Sequence, residues 1–250
     1  MTGSPDTRQP DARRPDDAAP RTALVVRGGW EGHHPREATE LFLPFLEAAG
    51  FSVRVEESNA VYADAAAMAA TDLVVQCVTM STIAPEALAG LREAVRAGAG
   101  LVGWHGGIAD AYRGEADYLQ LIGGQFAAHP AREPEQRVGD GSDYFLPYRV
   151  EFTPAGREHP ITAGLDDFEL ETEQYWVLHD DLIDVLATTT HPAPAHHPWH
   201  RPVTSPAVWT RRWGDGRIVV ATPGHDLDVL RRAPVRTILE RGMLWAARTA

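Results

Sequence analysis

The sequence predicts an α/β fold with a mostly parallel central sheet, helices on both faces of that sheet, and a C-terminal half rich in β-strands. In the first half of the chain, short apolar runs alternate with segments of helical periodicity. Such alternation is typical of parallel strands joined by right-handed crossover helices. After Tyr144 the apolar residues recur with a period of two, which indicates strands rather than helices.

Four buried strands are predicted in the first half, at residues 23–26, 51–55, 73–78 and 101–103. A helix is predicted over 38–49, where Pro44 should kink or split it. Another helix begins at Pro85 and ends at the glycine-rich turn 98–100.

The second half is predicted to contain strands near residues 148–153, 168–177 and 184–189. Residues 207–213 and 218–222 flank the turn Gly214-Asp215-Gly216 and are expected to form a hairpin. A closing helix is predicted from Pro234 to about Arg248.

The composition indicates one domain with a short tail. A chain of 250 residues with 44% hydrophobic residues can bury one substantial core. Residues 1–20 are rich in Pro, Asp, Arg and Ala, so a disordered N-terminal tail is expected there. The α/β domain is expected to span residues 21–250.

The formal net charge of -12 argues against nucleic acid or an anionic membrane surface as a partner. A small neutral molecule fits better, and association into a homo-oligomer is left open. Cys77 is the only cysteine, so no disulfide framework is expected and a reducing compartment is the simpler interpretation. The sequence contains no long apolar run and no N-terminal signal core, so a cytoplasmic location is expected.

The segment 101–107 carries the strongest functional signal. It reads Leu-Val-Gly-Trp-His-Gly-Gly, a buried strand that runs into a sharp turn flanked by glycines. Many α/β enzymes place a Ser or Cys nucleophile at the apex of such a turn, whereas here the apex is His105. An imidazole is suited to act as a general base, a metal ligand or a polarising donor.

Several ordered motifs together carry a family resemblance. They are Gly28–His33 (GGWEGH), Gly103–Gly107 (GWHGG), Ile122–Phe126 (IGGQF) followed by His129-Pro130, His159–Thr162 (HPIT), Thr172–Tyr175 (TEQY) and Pro223–His225 (PGH). From about residue 23 to 248 the chain resembles the ThuA-like, or trehalose-utilisation, family. The resemblance implies a flavodoxin-like sandwich similar to the class I glutamine amidotransferases, and a role in sugar catabolism on oxidised (keto) disaccharides or glycosides.

Comparison with the amidotransferases excludes amidotransfer. Their G-x-C-x-G motif matches residues 103–107 with His105 in place of the cysteine, and their catalytic histidine matches His225. Their glutamate two residues further on falls on Leu227. Because Cys77 lies inside the third predicted strand, it should be buried and cannot replace the missing thiol.

Three histidines follow predicted strands of one sheet, so folding should bring His33, His105 and His225 to a shared rim. Together with Glu173 or Asp226 they form a ligand set that Zn²⁺ or a similar divalent ion accepts. We therefore predict the three histidines as metal ligands and His105, His225 and Glu173 as catalytic residues. The alternative is metal-free acid/base catalysis. In it, His105 transfers a proton beside a sugar carbonyl, and Glu173 or His225 acts as acid or base on the opposite face of the sugar.

The expected substrate-binding residues surround this rim. They are Trp30 and Trp104, which could stack on a sugar ring, with Asp110, His129 and Tyr175. No phosphate loop and no G-x-G-x-x-G after the first strand are present, so no nucleotide cofactor is expected. The loop 191–200 contains four histidines among prolines and is interpreted as a solvated loop rather than a metal site.

Two classes of function remain open. The favoured one is an enzyme of carbohydrate catabolism that acts on a sugar or keto-sugar by proton transfer. Its reaction class would be that of a lyase, isomerase or hydrolase without a cysteine nucleophile. The other is a non-catalytic sugar-binding or regulatory domain on an amidotransferase-like fold.

Overall fold

The computed structural model describes residues 20–249. The predicted disordered tail, 1–20, lies outside the described residues except for its last position. Within residues 20–249 no helix is long and apolar enough to cross a membrane.

The described chain folds into eleven strands and nine α-helices. The strands are β1 (Arg21–Gly29), β2 (Phe51–Glu56), β3 (Leu73–Thr79), β4 (Gly100–Trp104), β5 (Gly124–Ala128), β6 (Phe145–Phe152), β7 (Phe168–Glu173), β8 (Trp176–His179), β9 (Asp184–His191), β10 (Val203–Trp213) and β11 (Gly216–Ala221). The helices are α1 (Pro35–Glu40), α2 (Leu43–Ala48), α3 (Ala65–Ala69), α4 (Pro85–Arg96), α5 (Gly106–Ala109), α6 (Ala116–Ile122), α7 (Pro154–Glu158), α8 (Leu227–Arg231) and α9 (Ala233–Ala246).

Nine of these strands form one large sheet in the order β2-β1-β3-β4-β11-β10-β9-β6-β7. The strands from β2 to β11 in that order pair in parallel, and those from β11 to β7 pair antiparallel. The parallel part has the 2-1-3-4-5 order of one common doubly wound sheet, with β11 in the fifth place. The fold is therefore α/β, and the β-rich C-terminal half extends the sheet with antiparallel strands.

Helices cover both faces of the parallel strands, which explains why these strands are apolar throughout. Every residue of β3 and of β4 is buried. Successive residues of β1 supply the two faces in turn: Ala23 and Val25 pack with α1, α2 and α9, whereas Leu24 and Val26 pack with α3, α4 and α6. The core thus consists of two apolar layers with the sheet between them.

Two predicted elements differ in detail from the structure. The helix expected over 38–49 is divided into α1 and α2, and Pro44 stands in the first turn of α2, as its missing N–H predicts. The prediction of a single strand over 168–177 was wrong. The chain breaks at Gln174 and Tyr175, so β7 stays with β6 while β8 pairs with β5 in a separate two-stranded sheet. Alternation with a period of two does not reveal a change of pairing partner.

Candidate functional site

The predicted sharp turn is present at the end of β4. His105 adopts φ 48° and ψ -140°, a conformation that residues with a side chain rarely take, and its N–H donates to Ala221 O over 2.7 Å. The glycines beside it are required by close packing. A Cβ at Gly103 would lie 2.7 Å from Gln76 O, and a Cβ at Gly106 would lie 2.7 Å from the ring of His33. The turn therefore presents one imidazole at the carboxyl edge of the sheet.

Folding brings the four predicted polar residues together. His33, His105, Glu173 and His225 each offer one ligand atom, and these atoms all lie within 4.8 Å of one another. The three histidines follow β1, β4 and β11, whose carboxyl ends meet at one edge of the sheet. Glu173 arrives from the antiparallel part of the sheet as the last residue of β7.

Three of the ligand atoms form a nearly equilateral triangle. His105 Nε2 is 3.1 Å from Glu173 Oε2, and His225 Nδ1 lies 3.3 Å from each of these two atoms. A tetrahedral zinc ion with bonds of about 2.0–2.1 Å holds neighbouring ligand atoms about 3.3 Å apart. The triangle therefore has the spacing of one face of a metal coordination sphere.

The hydrogen bonds of His105 show which of its nitrogens is free to bind. Nδ1 lies 2.8 Å from the carbonyl oxygen of Thr222, which can only accept, so Nδ1 carries the proton. Burial lowers the pKa of His105, although the neighbouring Glu173 opposes the shift, and this favours the neutral ring. The lone pair of Nε2 then faces the Glu173 carboxylate. Two acceptors so close repel each other unless a proton or a metal ion lies between them.

Glu173 is ionised in this setting. Burial would raise its pKa, but the neighbouring His105 and His225 outweigh that effect and hold the pKa well below its usual range. A buried carboxylate beside neutral imidazoles is a donor set that divalent ions such as Zn²⁺ accept.

His33 is oriented for the same cluster. Its Nδ1 is hydrogen-bonded to Thr79 Oγ1 over 3.0 Å, and its ring centroid lies 4.7 Å from that of His105. Burial, followed by the nearby His105 and His225, lowers the pKa of His33 to about 3. The ring is therefore neutral near pH 7, which is the form that binds metal ions.

A cleft of about 220 Å³ opens beside the cluster. This is roughly seven times the volume of about 30 Å³ that one water molecule occupies in the liquid, so a single sugar unit is a suitable size of ligand. The cleft is lined by Trp30, His33, Met80, Asp110, Arg113, Phe126, His129, Gly141, Tyr144, Glu173 and Tyr175.

Four of the five predicted substrate-binding residues line this cleft. Tyr175 stacks on His105 with ring centroids 4.1 Å apart, and His129 Nε2 lies 3.8 Å from Glu173 Oε1. Trp30 stands at the mouth with 47% of its surface exposed. The carboxylate of Asp110 is buried and accepts two hydrogen bonds from Arg113, so a ligand would meet this residue as part of an ion pair.

The fifth, Trp104, lies in the core and does not line the cleft, contrary to the prediction. Its side chain is 1% exposed and packs against Phe42 in the core, because neighbouring side chains of β4 point to opposite faces. Asp226, the alternative carboxylate, instead caps α8 by accepting from Val229 N over 2.8 Å. Cys77 is buried in β3 as expected, and burial raises the pKa of its thiol to about 12.

Other parts of the site were not found from the sequence. Thr79 and the Thr222 carbonyl orient His33 and His105. Thr79 is the last residue of β3 and Thr222 directly follows β11, and these strand-end positions are the only sequence signal for them. Tyr144 and Phe126 line the cleft from segments without helical or alternating patterns. Only tertiary packing brings these rings to the cluster.

Comparisons with known proteins agree with this architecture. A family model described as ThuA, trehalose utilisation, matches residues 22–246. The chain is similar to the structure of a ThuA-like protein from Parabacteroides merdae ATCC 43184, with a TM-score of 0.68, 18% identity, and coverage of 93% of this chain and 92% of that one.

A ThuA-like protein from Bacteroides uniformis ATCC 8492 gives a TM-score of 0.64 at 18% identity, over 92% of this chain and 94% of that one. A cytoplasmic protein from Salmonella typhimurium LT2 gives a TM-score of 0.62 at 14% identity, over 91% of this chain and all (100%) of that one. At such identities these structures show a shared fold only. No curated protein matches the chain.

Proposed function

The chain belongs to the ThuA family, and from this premise we propose that it is an enzyme of carbohydrate catabolism that acts on a keto-sugar, as a keto-disaccharide or keto-glycoside. The cluster of His33, His105, Glu173 and His225 is its reaction centre and binds a divalent metal ion. The observation that carries the proposal is the triangle of ligand atoms, in which the lone pair of His105 Nε2 faces an ionised carboxylate at 3.1 Å.

The donor set fits a metal ion such as Zn²⁺. The three imidazoles and Glu173 Oε2 would hold it. The hydrogen bonds of His105 Nδ1 to Thr222 O and of His33 Nδ1 with Thr79 Oγ1 support two of the rings as outer-shell partners do. When bound, such an ion polarises a sugar carbonyl or hydroxyl.

The side chains of the cleft supply the remaining chemistry. Glu173 Oε1 is the oxygen on the side of His129 and accepts a proton from the carbon or hydroxyl beside the substrate carbonyl. Trp30 and Tyr175 offer ring faces for the sugar, and the Asp110–Arg113 pair offers hydrogen-bond partners for its hydroxyl groups. In the metal-free alternative, His105 Nε2 takes the proton instead.

The test compares His105→Ala with His34→Asn, a control at the exposed neighbour of His33 whose left-handed backbone (φ 47°) asparagine tolerates. Metal content is measured on purified protein with and without chelator, and turnover is measured on a set of keto-disaccharides and keto-glycosides. We expect His105→Ala to lose bound metal and at least about 10²-fold in turnover, since an acid/base or metal-binding group is removed. The His34→Asn protein should keep both.

Two results would contradict the proposal in different ways. A protein free of metal that still turns over a keto-sugar would leave only the metal-free acid/base mechanism. A wild-type protein that binds sugars but converts none of them would favour the non-catalytic sugar-binding or regulatory domain.

A further inference from the structure

A second cavity, of about 340 Å³, lies between the segment 130–136 and the histidine- and proline-rich loop 191–200. The sequence predicts a solvated loop at 191–200. Its Pro192, Ala195, Pro198 and His200 are exposed, while part of the loop also borders the cavity. Pro192, His196 and Trp199 line one side, and Pro130, Ala131 and Arg132 line the other. The loop is therefore solvated on one side and forms a wall of the cavity on the other.

The aromatic part of this wall is held in place by its neighbours. Trp199 Nε1 donates to Pro192 O over 2.7 Å, and the Trp199 ring meets that of Trp176 edge to face at 5.1 Å. His197 stacks on the same indole at 4.0 Å. The part of this indole that lines the cavity is a fixed apolar surface, and the C–H face of a pyranose ring packs on such aromatic surface.

The polar side chains of the wall are already paired in part. His196 lines the cavity, and Nδ1 of its ring lies beside the Glu133 carboxylate. Arg132 is already paired with Glu171 at 3.2 Å, so the cavity favours a neutral ligand over an anion.

This cavity adjoins the cleft of the candidate site. His129 lines the cleft and the next residue, Pro130, lines the cavity. In the same way Tyr175 lines the cleft, while its neighbour Trp176 supports Trp199. His191 Nε2 lies 3.1 Å from Tyr175 O and links the start of the loop to this segment. The two spaces thus adjoin at one place, where His129 and Pro130 are consecutive in the chain.

We propose that the cavity is a second sugar subsite, which holds the second unit of a disaccharide whose reacting unit lies in the cleft. The identity of the cleft as the reacting site rests on the proposed function, but occupancy of the cavity is measurable without turnover. The proposal therefore commits the protein to substrates of at least two sugar units.

The binding test uses maltose and methyl α-glucoside as a disaccharide and its single-unit counterpart, titrated calorimetrically into full-length protein. We expect Trp199→Ala and His196→Ala each to weaken maltose binding at least about tenfold and to change methyl α-glucoside binding less than about twofold. Trp199→Phe keeps an aromatic surface and should lose less. Trp213→Ala, which changes a tryptophan of the β10–β11 hairpin outside both cavities, is the matched control and should bind like the wild type.

A parallel assay on keto-maltose separates this proposal from the proposed function. Trp199→Ala should raise KM at least about tenfold and leave kcat within about twofold. If the wild type converts no keto-sugar while Trp199→Ala loses maltose binding, the function fails and the subsite stands. Wild-type maltose affinity in folded Trp199→Ala and His196→Ala proteins, equal losses for both sugars, or a wild type that binds neither sugar would overturn the subsite.

Discussion

At the scale of single residues, the backbone of His105 is the most unusual feature of the site. Its φ of 48° and ψ of -140° mirror the common extended conformation, which glycine adopts as readily as the ordinary one. For a residue with a Cβ such a conformation costs about 1–3 kcal/mol. The protein keeps a strained histidine where glycine would fit, which is typical of a residue retained for function.

This strain leads to a prediction about two substitutions. We expect His105→Gly to be more stable to unfolding than His105→Ala by about 1 kcal/mol, because only glycine relaxes in this conformation. Both variants lose the same imidazole contacts, so each serves as the control for the other. Urea denaturation with a comparison of midpoints at equal slope measures the difference. An alanine variant as stable as the glycine variant would mean that the turn is not strained.

The residues of the cluster were predictable to different degrees. His33, His105 and His225 could be named because each follows a predicted strand, and the ends of parallel strands converge. Glu173 was named because it belongs to the TEQY motif. The alternation of apolar residues in β7 does not show where this strand lies relative to the histidines. Trp104 was misplaced because an aromatic residue before a turn looks the same in sequence whether it faces the core or the cleft.

At the scale of elements, the short helix α5 fits beneath His33 only because it begins with glycines. A Cβ at Gly106 would lie 2.7 Å from His33 Cε1 and 2.8 Å from Thr79 Cγ2, in the pair that orients this ring. Real Cβ contacts are not that short, so His33 would have to move. The geometry of the cluster therefore depends on a residue that contributes no functional group.

Accordingly, we expect Gly106→Ala to weaken metal binding by about 10–100-fold, the usual cost of disturbing an outer-shell partner. The matched control is Gly114→Ala, where no atom lies within 4 Å of the added Cβ. Competition with a chromophoric chelator gives the affinity, and circular dichroism shows whether the fold is kept. Unchanged metal affinity in a folded Gly106→Ala protein would show that the position of His33 does not matter for binding.

The boundaries of an element could be predicted from the sequence where a single residue sets them. They were predicted wrongly where the pairing of strands sets them. Pro44 marks the split between α1 and α2 in the sequence, because proline lacks the N–H that a continuous helix needs. The break between β7 and β8 leaves no such mark. It arises because β8 finds β5 as its partner, and a pairing choice between distant segments is not encoded in the alternation of either one.

At the scale of the whole molecule, the buried imidazoles couple folding to pH. The pKa of His33 is lowered to about 3 and that of His105 is lowered as well, both chiefly by burial. An unfolded histidine takes up a proton near pH 6.5, about the ordinary value. Since the unfolded chain then binds more protons than the folded one, stability is complete above that pH and is lost as the pH falls.

For chelator-treated protein we therefore expect the free energy of unfolding to decrease as the pH falls from about 6.5 toward 3. His33→Gln removes one of the titrating groups and should give a shallower slope over this range. His34→Asn removes an exposed histidine and should follow the wild type. Denaturation at a series of pH values measures the slopes, and parallel curves for wild type and His33→Gln would contradict the assignment.

The sequence by itself determined the family, the α/β class, the parallel strands and the histidines that follow them, because each depends on local periodicity or on motifs of adjacent residues. The tertiary structure decided the rest: that Glu173 closes the triangle with His105 and His225, that Trp104 belongs to the core, and that part of the loop 191–200 borders a second cavity. These outcomes depend on which distant segments pack together, and that is set by the summed free energy of the whole chain rather than by any short stretch of it.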